Sequence, residues 1–377
     1  MKKSKQTALA IVILLILPKL ISCKKQKTVW AGTIKEVNGV TVVQNPKTPI
    51  FGKDACAVEE DLSIGSPERG GDFAFSQIID VGIDAQENIY ILDFKEAHIM
   101  VFNKAGGYLG TIGRKGQGPG EMQGPMNIFI TPRDEILVND RGNRLLHFFG
   151  RDGQYLRSIS LGRMQSFSRP EVDSQDNVVG RPVIFLPSRV VYVLAKFDSG
   201  LKELFRVFSY EYDIVPNIRN MLPPECFWAV GINDNIIWGY SDKYELHLLD
   251  KSGHSLRHII KDYEPVKITE EEKKEWASSV YGDKGVPSDI KVNWKNNHNA
   301  FHSLDVDDSG RIFVQTYEKA AEGHGYYYDV FDPEGKYIAR ILLKAAPRVL
   351  KKGKLYTIEE DEKGFQVVKR YKVSWKS

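Results

Sequence analysis

The residues of this chain that could do chemistry are glycines, histidines and aspartates, and each group fits a turn or a strand better than a reaction. Gly113-Arg114-Lys115-Gly116-Gln117-Gly118-Pro119-Gly120 has the glycine density of a phosphate cradle. A P-loop needs a Lys-Ser/Thr pair and a following helix, and neither is present. These glycines are expected to let the backbone turn sharply. His147 and His247 occupy one position of a repeated pattern that Met100 and Asp329 fill elsewhere. A position that takes Met, His and Asp is expected to be a structural surface position, not part of a ligand set. His298 and His302 are spaced i, i+4, but Asn296, Asn297 and Asn299 argue against a helix there. Neither H-E-x-x-H nor C-x-x-C occurs, so no metal ligand is assigned. Asp305, Asp307 and Asp308 before Gly310 look like a calcium loop without the EF-hand glycine and distal glutamate. With Asp84, Asp134, Asp176 and Asp234 they are expected to head turns by bonding their own backbone. No G-x-S-x-G is present. No catalytic residue is assigned and no cofactor is predicted.

The elements that carry these residues repeat. Residues 82–113 and 129–160 align without gaps at an offset of 47: Asp93 falls on Asp140, Phe102 on Phe149, Gly106 on Gly153 and Tyr108-Leu109 on Tyr155-Leu156. Each copy has short runs rich in β-branched and aromatic residues, such as Ile89-Tyr90-Ile91-Leu92, separated by polar or glycine-bearing turns. Three or four short strands in about 45 residues, repeated, mark a propeller blade. The pattern predicts an all-β, six-bladed β-propeller. Blade one runs from about Phe75, blade two from about Met126, blade four from Trp228, blade five from Leu304 and blade six from Arg348. Blade three, from Glu171, is weakly marked. Residues 32–44 read as a hairpin turning at Asn38-Gly39. It is expected to close the ring by joining the last blade.

Between blades four and five, residues 262–299 are extra. Thr269-Glu270-Glu271-Glu272 is a capping box that predicts a helix to about Val280. An insertion of this length is commonly a lid or binding loop. Trp276, Tyr281 and Trp294 argue that it is ordered.

The first residues form a secretion signal. Lys2, Lys3 and Lys5 precede an apolar stretch from Ala8 to Leu17, too short for the ~20 residues that span a bilayer. Leu20-Ile21-Ser22-Cys23 closes it and resembles a bacterial lipobox. That resemblance implies cleavage before Cys23 and a lipid on Cys23. Residues 1–22 then form the signal, 23–31 an anchored linker and 32–377 the propeller. Lys24-Lys25-Gln26-Lys27 follows, without the acidic run of surface-exported lipoproteins, so an outer-membrane lipoprotein facing the periplasm is expected. The signal removes four lysines and no acid, taking the formal charge from +3 to −1. A near-neutral chain gives no electrostatic reason to expect nucleic acid. Cys56 and Cys226 remain and are expected to be separate buried thiols.

Asp140-Arg141-Gly142-Asn143-Arg144-Leu145 with Phe148-Phe149 and Asp152-Gly153 resembles the NHL repeat. The whole chain resembles the six-bladed β-propeller lipoproteins, a family that implies a fold and a compartment and leaves the ligand open. On one face of such a propeller the loops would carry Arg114, Lys115, Arg141, Arg144, Arg163, Trp276, Trp294 and His324. Arginine forks with aromatics suit an anionic or sugar-like ligand. The reading is a monomeric, non-enzymatic binding module for a protein, peptide or glycan, held to the membrane by its N-terminal lipid. The alternative is a lactonase-like hydrolase or lyase with an axial divalent cation such as calcium, resting on fold analogy. A third is a structural subunit of an envelope complex, which would show a broad apolar patch at the rim.

Overall fold

The computed structural model describes residues 29–375 except 53–54, 66–74, 163, 165 and 321–324. Cys23 and the signal segment lie outside the described residues. Six sheets stand around one axis. Blade I spans residues 78–112, II 125–160, III 166–213, IV 226–261, V 303–343, and VI 347–375 together with Cys56–Ile64. The four strands of each blade run in antiparallel order from the first strand outward, and the first strands of blades VI, I, II, III, IV and V touch in that succession around the axis. The fold is a six-bladed β-propeller.

The repeat has a physical purpose at each copy. The second strands Ile89–Asp93 and Ile136–Asp140 are buried along their whole length, because a mid-blade strand is covered by a blade on either side. Tyr90, Leu92, Ile99 and Ile112 of blade I pack with Ile128, Ile136, Val138 and Phe149 of blade II in one apolar cluster. At the end of each second strand an aspartate gathers backbone donors. Asp93 accepts from the N–H groups of Ser76, Gln77, Lys95 and Glu96. Asp140 accepts from Gln123, Gly124, Gly142 and Asn143. Each clamp ties the loop after the second strand to the chain entering the blade. Gly106 and Gly153 turn the next hairpin at φ 86° and 81°, where a side chain is strained.

Two expectations need correction. The hairpin Thr33–Val37/Val40–Asn45 does not join the last blade. Its second strand pairs in parallel with Ser255–Lys261, which makes blade IV six-stranded. The ring is closed by Cys56–Ile64, antiparallel to Gln366–Trp375. Asn-Gly identifies a hairpin but carries no information about which edge receives it; long-range pairing decides that. The insertion lies between the fourth and fifth blades counted from Ile78. Counted from the closing sheet, which contains the earliest strand of the ring, it lies between the fifth and sixth.

The aspartate turns need a smaller correction. Asp84, Asp173 and Asp307 head them. Asp84 accepts from the N–H groups of Gln86 and Asn88, Asp173 from those of Gln175 and Asn177, and Asp307 from those of Ser309 and Arg311. Asp134, Asp176 and Asp234 instead take left-handed positions at φ 59°, 64° and 59°. Asp307 is also paired with Arg311 at 2.7 Å, so Asp307 and Asp308 of the calcium-like run belong to a turn, whereas Asp305 lies on the strand Ser303–Val306 and heads none. Cys56 is half-buried and Cys226 buried, and both thiols are free.

Asn45 staples the displaced hairpin to the ring. Its Oδ1 accepts from Trp30 Nε1 at 3.0 Å and from the Tyr337 N–H at 2.8 Å, and its Nδ2 donates to the Gly335 carbonyl at 2.9 Å. It is fully buried. Asn45→Ala leaves buried partners unmatched, each worth about 1–3 kcal/mol. Urea unfolding is expected to show a loss of about 2–4 kcal/mol. A change within about 0.5 kcal/mol would mean that the hairpin is not a structural part of the ring.

Candidate functional site: the axial channel

The first strands of all six blades line a central channel of about 530 Å³. Its wall sets charged and polar side chains among apolar ones such as Val81, Ile128 and Val230, where a packed core would be apolar throughout. Asp80 and Asn127, from blades I and II, stand 47 residues apart, at one position of the repeat. Blade III supplies Arg169 and Glu171, blade V Asp305 and blade VI Arg348. Four of the six first strands slip register at this level, between Ile78/Asp80, Pro125/Asn127, Ser168/Glu171 and Pro347/Val349. A bulge re-aims a side chain and leaves backbone unpaired. Arg169 sits in the widest of these, at φ 44° and directly before Pro170.

Charges pair across the axis. Arg169 Nε lies 3.1 Å from Glu171 Oε1, and its Nη2 lies 2.5 Å from Asp305 Oδ1. Its Nη1 donates to the Leu304 carbonyl at 3.3 Å. Two carboxylates also serve as acceptors for first-strand backbone N–H groups. Asp80 accepts from the Ile128 N–H at 3.0 Å, and Glu171 from the Val230 N–H at 2.7 Å, each reaching the next blade. Burial raises the pKa of Asp80, Glu171 and Asp305, and arginine pulls each of them back. Arg348 is exposed to the channel; its field acts on Asp80 and Asp305, and among the described residues no hydrogen bond or ion pair commits it. The channel therefore offers a free guanidinium beside carboxylates, a site for a ligand that both donates and accepts.

Glu171 and Asp305 fall in the second half of their inner strands, and Asp80, Asn127 and Arg348 in the first half. The first half lies toward the face where the chain enters from the preceding blade, which is also the face of the insertion. The helix Glu270–Tyr281 carries both halves of its capping box. Glu272 also meets His298 Nε2 at 3.2 Å and Lys319 Nζ at 3.1 Å. Lys291–Asn293 pairs in parallel with Ile218–Asn220 from the crossover between blades III and IV. Asn299 Nδ2 donates to the carbonyls of Leu222 and Pro223. Two long loops are thus knitted into one structure on this face.

The residues singled out from sequence lie elsewhere on this face. Arg114 is bound to Glu121 at 2.7 Å. Lys115 and Arg141 are exposed, and Arg144 donates to the Gly162 carbonyl. Trp276 and Trp294 are half-buried and meet edge to face at 5.3 Å, with Lys273 5.8 Å from the Trp294 ring centre. Arg163 and His324 lie outside the described residues. None of the described ones lines the channel.

The glycine loop resembles a phosphate cradle because it already holds an anion. Glu121 Oε2 accepts from the N–H groups of Gln117 at 3.1 Å and Gly118 at 2.9 Å. The Gly118 N–H, then Arg114, hold the Glu121 carboxyl below its ordinary range. A further correction concerns the Met/His/Asp position. It is not on the surface: Met100, His147 and Asp329 are buried. It lies on third strands, which are sandwiched between blades. Asp329 there accepts from the hydroxyls of Tyr244 at 2.7 Å and Tyr337 at 2.6 Å and pairs with Lys261 and Arg340. Of the channel residues, the sequence marked only Asp305 and His302, and neither for this site. The available signal was a lone Asp80 inside the run Ile78-Ile79-Asp80-Val81, matched by Asn127 one repeat later.

A family described as "6-bladed beta-propeller" matches residues 71–175, which hold the two clearest repeats. No curated protein matches the chain. Among solved structures, a protein of Bacteroides fragilis described provisionally as exported is 12% identical, with a TM-score of 0.55, over 89% of this chain and 100% of that one. A DUF4221-family member from Bacteroides vulgatus is 10% identical, with a TM-score of 0.50, over 86% of this chain and 100% of that one. The likeness is one of fold. A gluconolactonase of Xanthomonas campestris is more distant, at 10% identity and a TM-score of 0.46, over 80% of this chain and 87% of that one.

Burial would raise the Glu272 carboxyl, but the Thr269 N–H, Lys319 and His298 together bring it down to about 2 from 4.5. A depressed carboxyl stabilises the fold fully above its unfolded pKa and loses that contribution as pH falls. The insertion is therefore expected to loosen between about pH 4.5 and 2, read as a change in tryptophan emission from Trp276 and Trp294. Glu272→Gln should remove most of that transition. An unchanged profile in the variant would place the transition elsewhere.

Proposed function

We propose that the protein is a lipid-anchored envelope propeller that binds a peptide, protein or glycan on its insertion-bearing face, with polar groups of the ligand entering the axial channel. The observation that carries this reading is the uncommitted Arg348 beside Asp80 and Asp305 at the axis. Sugar hydroxyls and peptide amides both donate and accept, and they suit a wall of mixed charge better than a purely anionic ligand does. The knitted loops above the channel, with Trp276 and Trp294, supply apolar area for the rest of the ligand. Exposed Ile184, Phe185 and Leu186 of one blade III hairpin, and Ile214 and Val215 beyond it, extend an apolar rim on the same face. The tetrad Leu20–Cys23 supports lipidation at Cys23 and an envelope location.

The second reading, an axial divalent cation serving a hydrolase or lyase, is favoured by three carboxylates at the axis: Asp80, Glu171 and Asp305. Arg169 weighs against it. Its guanidinium already pairs with both Glu171 and Asp305, and a cation there repels a second one at short range. The two readings separate in calorimetry and thermal unfolding of the chain from Lys24 onward. Calcium is expected to leave the melting temperature unchanged. A glycan and peptide screen is expected to yield a ligand whose affinity falls at least ~10-fold, or about 1.4 kcal/mol, in Arg348→Ala and in Trp276→Ala. Stoichiometric calcium binding that Asp305→Asn abolishes would replace the binding module with the metal-dependent enzyme.

A further inference from the structure

Away from the channel, the outer half of blade IV brings together Glu245, His247 and His258. Glu245 and His247 are two apart on the strand Glu245–Leu249 and so share a face. His258 pairs directly across from His247 on Ser255–Lys261. One ligand atom from each of the three lies within 4.8 Å of the others. His247 Nε2 is 3.8 Å and His258 Nδ1 3.7 Å from the same oxygen, Glu245 Oε1. Those separations are too long for hydrogen bonds. They approach the ~3.4 Å between two atoms that each sit ~2.1 Å from a tetrahedral ion. The carboxylate has no lysine or arginine partner among the described residues, and the three side chains are 21%, 32% and 33% exposed.

The surroundings hold this arrangement in place. Trp238 stacks on His247 at 4.4 Å, and Phe208 of blade III stacks on Trp238 at 4.9 Å. The His247 and His258 rings meet edge to face at 4.5 Å. The second nitrogen of His258, Nε2, lies 3.3 Å from Ser255 Oγ, the kind of outer partner that orients a ligating imidazole. The parallel hairpin strand sets Val42 beside His258 and covers what would otherwise be the blade's outer edge.

We infer that Glu245, His247 and His258 form a binding site for one zinc-class divalent transition ion, with a fourth coordination position open to the solvent. Two imidazoles and a carboxylate select such an ion over calcium or magnesium, which prefer all-oxygen shells. Three protein ligands with an open position are the pattern of a site that can accept an external ligand. The ion would link the third and fourth strands of blade IV in the wedge beside blade III. This site shares no residue with the axial channel.

The test is calorimetric titration of the metal-stripped chain, from Lys24 onward, with Zn²⁺, followed by Co²⁺ and its visible spectrum. One equivalent of Zn²⁺ and a Co²⁺ spectrum of low coordination number are expected. Glu245→Gln and His258→Ala are each expected to weaken binding at least ~10-fold, and His98→Ala in blade I to leave it unchanged. Glu245→Gln nearly preserves shape, so its metal-free melting temperature serves as the folding control. Failure to bind one equivalent, or binding that neither Glu245→Gln nor His258→Ala weakens, would overturn the site. Because calcium at the axis and Zn²⁺ at blade IV answer to different residues, either result leaves the other reading independently testable.

Discussion

A ring of blades is stable only if it closes, and here the closure joins the two ends of the propeller. Cys56–Ile64 lies antiparallel to Gln366–Trp375, so the last sheet is built from segments more than 300 residues apart. Blades I, II, III and V are local, made of consecutive hairpins, and blade IV adds the distant hairpin Thr33–Val37/Val40–Asn45 to its own. The closure lets the first strands meet around one axis and fixes how near they come. Arg370, on the final strand, reinforces it by pairing with Asp61 at 2.7 Å and donating to the Lys104 carbonyl at 2.6 Å. One residue thus ties blade VI to the early strand and to blade I.

Inside that ring, polar groups are used where chain segments from different blades must be held in register. Asp93 and Asp140 collect the N–H groups of incoming loops, Asn45 pins the hairpin, and Asp329 gathers two tyrosines, a lysine and an arginine between blades IV and V. Lys196 and Asp173, both buried, pair at 2.7 Å within blade III. Buried charges need partners of this sort, since an unpaired one costs several kcal/mol. The axial channel differs in one respect. Asp80, Glu171, Asp305 and Arg169 satisfy one another and the backbone, while Arg348 is left to the solvent. An uncommitted cation in a largely satisfied polar cavity is what a ligand can complete.

The loops on the insertion-bearing face follow the same logic. A capping box can start a helix, but a 12-residue helix with no buried side chain does not hold itself in place. Glu272 caps the helix and at the same time binds His298 and Lys319. The short parallel pair Ile218–Asn220/Lys291–Asn293 anchors the other end. The insertion is therefore an ordered wall above the channel, built from local signals and a few long-range contacts.

Much of this was written in the sequence itself. Alternating apolar runs, glycine-bearing hairpin turns and the 47-residue repeat follow from local backbone preference and strand periodicity, and they specify blades, turns and the helix start at Thr269. Local rules do not reach further. Which sheet edge accepts the Asn-Gly hairpin, and which strand closes the ring, depend on pairings over hundreds of residues. The axial set Asp80, Asn127, Arg169, Glu171, Asp305 and Arg348 comes from five different blades. No spacing along the chain encodes its convergence. Glu245, His247 and His258 meet only because cross-strand register sets one histidine opposite the other. The chain dictates each blade by short-range chemistry; the sites exist because the closed ring and the sheet register bring distant side chains within reach of one another.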